Sequence, residues 1–182
     1  MTRRTWALLG LLALALLGYA GWHWARARFA PPETAVAPAD TTQVGLRAVT
    51  LWFADDSGDS LVSESRQLPD RDGLHERLSQ LVDALARGPE RRGVAVLPAG
   101  TTVLHAYLDD RGLLTLDLSR AFQQGFHGGS RAEDLVVGSL ARTIGSNVPE
   151  ARRVLLVCGG APIASLGGHL PLDQPIDPHA VP

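Results

Sequence analysis

The chain has 182 residues, 45% of them hydrophobic, and a formal net charge of -2. That is room for one domain with appendages and enough apolar material for a core. The near-neutral charge gives no electrostatic case for binding nucleic acid. The single cysteine, Cys158, excludes an intramolecular disulfide and any metal site built on two or more thiolates.

The first 28 residues read as a segment separate from the folded domain. Arg3 and Arg4 precede an apolar run from Trp6 to Trp24, and Arg26 and Arg28 follow it. Trp6, Tyr19, Trp22 and Trp24 stand near its ends, where amphipathic rings favour a lipid–water boundary. The run is close to the roughly 20 residues that cross a bilayer. One transmembrane helix is expected from Trp6 to Trp22, with the N-terminus in the cytoplasm and the domain outside. The alternative is a cleaved signal peptide with its core at Ala7 to Leu17. No cysteine follows the run, so a lipid-modified N-terminus is not expected. Residues 29–45 are rich in Pro, Ala and Thr without an apolar period, the composition of a semi-extended linker.

A domain is expected over 46–167. Arg47 to Phe53 is rich in strand-forming residues. The acidic turn Ala54 to Ser60 lacks the ligand order of a calcium loop and reads as a hairpin turn. Leu61 to Leu68 returns as a second strand, with Val62, Glu64, Arg66 and Leu68 on one face. Leu74, Leu78, Leu81, Val82 and Leu85 form a helical stripe, predicting a helix over 74–87. Gly88-Pro89 stops it. The connector from there to Thr101 carries the basic Glu90-Arg91-Arg92-Gly93, then Pro98-Ala99-Gly100-Thr101, a turn that launches the next strand.

Thr102 to Leu108 and Leu113 to Leu118 flank Asp109-Asp110-Arg111-Gly112, a hairpin that must be antiparallel because its connection is too short for a crossover. His105 and Asp117 could form an acid–base pair, but no third group with a clear role accompanies them. They read more simply as polar residues on an outer face. In the loop Ser119 to Gly129, Phe122, Phe126 and His127 either tuck under the domain edge or form a partner-binding patch. Ser130-Arg131-Ala132-Glu133 has capping-box spacing and opens a helix predicted over 131–145. Its buried stripe is Val136, Val137, Leu140, Ala141 and Ile144, and Gly145-Ser146-Asn147 is its stop. Arg152 to Cys158 is an apolar strand in which Cys158 reads as a buried small hydrophobe. Ile163 to Leu166 is expected as a short edge strand and 168–182 as a loose tail.

The order is ββαββαβ, and here the chain resembles the GerMN domain, the sporulation and spore germination domain. The residues that carry the resemblance begin with Leu51-Trp52-Phe53, Leu61-Val62 with Glu64 and Arg66, and Leu85 with Gly88-Pro89. Leu97-Pro98-Ala99-Gly100-Thr101, Leu116-Asp117-Leu118-Ser119 with Phe122, Thr143-Ile144 and Val154 to Gly160 complete the series. Cys158 departs from the family, which usually has a polar residue before this glycine.

The resemblance implies an α+β, two-layer domain similar to ring-building modules, with two helices packed on one face of a small, mostly antiparallel sheet. It implies no catalytic residue, and no cofactor-binding or metal-ligating residue is assigned. The expected function is a non-enzymatic, membrane-anchored envelope protein that binds another envelope protein or assembles with itself. The alternative is a cell-wall-directed module that binds peptidoglycan or assists its hydrolysis.

Overall fold

A computed structural model describes residues 17–22, 24 and 45–180. The chain divides into two compact units, Met1–Thr42 and Gln43–Pro182. In the first unit, residues 17–22 and 24 are helical, with Tyr19, Trp22 and Trp24 exposed. No helix among the described residues is long and apolar enough to cross a membrane. The expected transmembrane helix is therefore corrected: of the span Trp6 to Trp22, only 17–22 is described, and the remainder lies outside the described residues. The same holds for the linker up to residue 44.

The second unit opens with β1 (Leu46–Ala54) and β2 (Leu61–Pro69), an antiparallel ribbon paired residue for residue from Leu46↔Pro69 to Ala54↔Leu61. The turn between them is organised by Asp55. Its carboxylate accepts from the Asp59 N–H at 2.9 Å and from the Ser57 and Ser60 hydroxyls, each at 2.9 Å. These bonds, the one from Asp59 foremost, lower its pKa to about 2. The acidic turn is thus a set of hydrogen bonds on one carboxylate.

Helix α1 (Leu74–Arg87) buries Leu78, Leu81, Val82, Ala84 and Leu85, the predicted stripe with Ala84 added and Leu74, at its start, only half-buried. The hairpin β3 (Val103–Leu108) and β4 (Leu113–Leu118) is antiparallel, as its short connection requires. Short α2 (Ala121–Gln124) and long α3 (Ser130–Asn147) then carry the chain to β5 (Arg153–Cys158), which pairs parallel to β4. A parallel neighbour needs such a crossover, and the helices supply it.

The expected single, mostly antiparallel sheet is therefore corrected to two sheets. One is the β1–β2 ribbon. The other has the order β3-β4-β5-β6, with β6 reduced to Ala161–Pro162 where an edge strand over Ile163 to Leu166 was expected. Leu114, Leu116 and Leu118 of β4 and Val154, Leu156 and Cys158 of β5 give the four-stranded sheet its buried face. Val49, Leu51 and Phe53 of β1, the α1 stripe, and Val136, Val137, Leu140 and Ile144 of α3 join them in one core. Burying such side chains contributes roughly 1.5–3 kcal/mol each.

The tail is not loose. Leu172 is buried, and its N–H donates to the Ala164 carbonyl at 2.9 Å. Val154 of β5 and Ile176 exchange backbone hydrogen bonds, each 2.8 Å.

Candidate interaction site

The two edges of the β1–β2 ribbon are treated differently. In an antiparallel pair, alternate residues turn both their N–H and C=O away from the partner strand. In β1 those residues include Thr50 and Trp52, and α3 meets these two with side chains. Asn147 Oδ1 accepts from the Thr50 N–H at 3.0 Å, and Asn147 Nδ2 donates to the Thr50 carbonyl at 2.7 Å. Thr143 Oγ1 accepts from the Trp52 N–H at 3.0 Å, and Ser139 Oγ donates to the Trp52 carbonyl at 2.6 Å. Ser139, Thr143 and Asn147 recur every four residues, which lines them along one side of a helix. The Trp52 indole N–H donates to Ser146 Oγ at 3.0 Å, and the Arg142 guanidinium stands 5.2 Å from the centre of the Trp52 ring.

Helix α3 runs through Asn147, two residues past its predicted end at 145, so Gly145-Ser146-Asn147 does not stop it. Its end is held by Arg77 of α1, whose Nη2 donates to the Asn147 carbonyl at 3.2 Å. A polar stripe in place of a strand seals the β1 edge.

Among the described residues, nothing pairs with the β2 edge. Thr50 faces Ser65 and Trp52 faces Ser63 across the ribbon. Because Thr50 and Trp52 direct their backbone groups to α3, Ser63 and Ser65 direct theirs to the opposite side, away from β1. Both serines are exposed. Beside them lies a groove of about 360 Å³ lined by Val62, Ser63, Glu64, Ser65, Arg91 and Arg92.

The far wall of that groove is the connector after α1, held by a buried ion pair. Arg66 Nε donates to Glu64 Oε1 at 2.6 Å, and Arg66 Nη2 donates to the Gly88 carbonyl at 2.6 Å. Glu64 Oε2 accepts the N–H groups of Glu90 and Arg91, each at 3.1 Å. The Arg66 guanidinium lies 5.3 Å from the centre of the Phe53 ring. Burial raises the Glu64 pKa, but the bonds from Arg66, Glu90 and Arg91 outweigh it and hold the carboxyl below its ordinary value. Further along, Val94 N–H donates to the Ala54 carbonyl at 2.8 Å, and Asp56 Oδ1 accepts from the Gly93 N–H at 3.0 Å. Gly93 has φ +105° and a Cβ there would clash with the Ala54 carbonyl oxygen, so the close approach requires glycine.

Of the other residues singled out in the sequence, His105 and Asp117 are cross-strand partners and the rest lie apart. Register irregularity between Val103 and His105 places His105 opposite Asp117, on the outer face with Tyr107 opposite Thr115. Asp117 is buried, and its Oδ1 accepts from the Gly160 N–H at 3.0 Å, pinning the turn after β5. His127 is exposed in a separate groove with Phe126, Val96, Pro98, Leu135 and Val136. Phe122 is fully buried, while Phe126 packs half-buried against the core. Cys158 is buried, and its Sγ lies 3.3 Å from the Ser119 carbonyl, where a thiol donates.

The capping box is corrected. Gly129 is the N-cap of α3 and no side chain caps it. Glu133 instead turns its carboxylate, completely buried, toward the C-terminal strap. There it accepts from the Leu166 N–H at 2.8 Å and the His169 N–H at 2.9 Å, and the Gly167 and Leu170 N–H groups also act on its charge. Burial raises its pKa, and these four backbone N–H groups more than reverse the effect. The spacing signalled a carboxylate that captures backbone N–H groups, but not which ones.

Comparison with known proteins agrees with this architecture. The profile of the Germane family, described as sporulation and spore germination, matches residues 50–164. The first GerMN domain of the sporulation protein GerM from Bacillus subtilis superposes with a TM-score of 0.60 at 22% identity, covering 72% of this chain and 97% of that one. The tandem GerMN domains of the same protein give a TM-score of 0.59 at 21% identity, covering 73% of this chain and 46% of that one. The chain thus spans under half the length of the tandem protein. No curated protein sequence matches it.

Proposed function

The chain belongs to the Germane family, and on that basis we propose that it is a non-enzymatic, extracytoplasmic envelope protein whose domain mediates protein–protein interaction or assembly. One observation carries the reading. Among the described residues, the ribbon has one edge bonded by α3 at Thr50 and Trp52 and the other left open along exposed Ser63 and Ser65. An uncovered strand edge is a template for another chain, and natural domains that keep one use it for partners. The buried Glu64–Arg66 pair and the connector bonded to it hold that edge in a fixed setting. The polar candidates instead serve the fold: Asp117 binds a turn and Glu133 a strap.

The test is crosslinking of the full-length protein in intact cells, followed by identification of the adducts. Adducts with an envelope protein, or with further copies of this chain, are the expected result. Saturable binding to purified cell-wall sacculi with no protein adduct would replace this reading with a cell-wall-directed one.

A further inference from the structure

We propose that the open edge of β2 binds an extended, acidic peptide segment of a partner protein by strand addition, with Arg91 and Arg92 selecting its charge. The inference rests on the interaction reading above and names its mode and the chemistry of the partner. Ser63 and Ser65 offer two N–H and two C=O groups at the spacing of a ladder, all turned away from β1. The nine residues of β2 pair with β1 without a bulge, so the edge is regular along its length. Proline, which would block an edge, occurs only at the last position, Pro69.

Charge decides the occupant. Within the groove wall, Glu64 is committed to Arg66 and to two backbone N–H groups, and Glu90 lies 3.6 Å from Arg66. Arg91 and Arg92 are exposed, and neither guanidinium joins an ion pair among the described residues. Two uncompensated guanidinium groups beside a free ladder suit carboxylates on an incoming strand and oppose a basic one. Main-chain bonds would supply affinity, and the arginines the selection.

The probe is a synthetic peptide of sequence Thr-Glu-Val-Glu-Val-Glu-Val-Thr, compared with the same peptide carrying Lys for Glu. Amide hydrogen exchange of the full-length protein gives the readout. The acidic peptide is expected to slow exchange at Ser63 and Ser65 and to bind about tenfold more tightly than the Lys peptide. Arg91→Glu with Arg92→Glu should reverse that preference. Ser65→Pro removes only an outward N–H, a position where an edge strand tolerates proline. It should abolish binding while the thermal midpoint stays within a few degrees.

Protection elsewhere, for example at Tyr107 and Leu155, would overturn the proposal, as would no protection or binding that survives Ser65→Pro. Self-association that Ser65→Pro abolishes would show that a second copy, and not an acidic segment, occupies the edge. Protein adducts in cells that map away from Ser63 and Ser65 would sink the edge assignment alone. Absence of any protein adduct would sink the interaction reading itself.

Discussion

Asn147 bonds both backbone groups of Thr50, accepting from its N–H at 3.0 Å and donating to its carbonyl at 2.7 Å. It thereby occupies the place of a neighbouring strand, and it also donates to the Thr143 carbonyl within its own helix at 2.7 Å. Replacing it with Ala strands two half-buried backbone groups. Asn147→Ala should cost about 1–3 kcal/mol in urea unfolding. Asn147→Asp, which keeps the acceptor and loses the donor, should retain part of that. Equal stability of all three would mean that the edge is not sealed by this residue.

The Glu64–Arg66 pair predicts an asymmetry. Glu64→Ala leaves the buried Arg66 guanidinium with only the exposed Glu90 carboxylate, 3.6 Å away, and frees the Glu90 and Arg91 N–H groups, at a cost of about 3–5 kcal/mol. Replacing both residues with apolar ones of similar volume should cost less than the single change. Chemical unfolding of the two variants decides the order.

Acid should loosen the C-terminal strap. A carboxyl whose folded pKa lies below its unfolded value contributes stability that is complete above the unfolded value and is lost as pH falls through the folded one. Glu64 and Glu133 are both lowered from 4.5. The thermal midpoint is therefore expected to hold from neutrality down to about pH 5 and to fall below pH 4.5. Glu133→Gln should lower the plateau and flatten the decline. A steeper acid slope in that variant would contradict the assignment.

The strap itself gives a spatial readout. Glu133→Ala leaves the N–H groups of Leu166 and His169 without their acceptor. Limited proteolysis should then cut within 163–180 before any other part of the domain, with a stability loss of about 2–4 kcal/mol.

Leu81 of α1 and Leu140 of α3 are each 1% exposed in the shared core. Either change to Ala should cost about 2–5 kcal/mol, the range for cavities at buried leucines. A thermal midpoint unmoved by both would remove the helices from the core.

What the sequence made legible was local. The α1 stripe and the Leu114, Leu116, Leu118 alternation are periodic, and period follows from backbone geometry alone. The short hairpin connection fixed antiparallel pairing in the same way. The parallel pairing of β4 with β5 and the division into two sheets depend on meetings between distant segments, which no local period records. Asn147 read as a helix stop because a short polar residue suits a terminus, and it bonds a strand equally well. Glu133 had the right spacing for a cap, but Gly129 took the N-cap position. Leu172 and Ile176 are single apolar residues among prolines, too sparse to mark a packed segment. The open edge was missed because it belongs to backbone groups of two serines, and only the pairing of β1 with α3 shows which way they point.

The bonds sealing β1 join residues 87 to 97 positions apart. The ribbon can close by itself soon after residue 69 leaves the ribosome, since its turn and register are local. Its seal cannot form until Ser139, Thr143 and Asn147 have been made. During that interval the ribbon is a strand pair with two bare flanks, and long-range closures of this kind are slow steps in folding. A nascent chain stopped before Ser139 would offer its neighbours a second adhesive border that the finished protein no longer has.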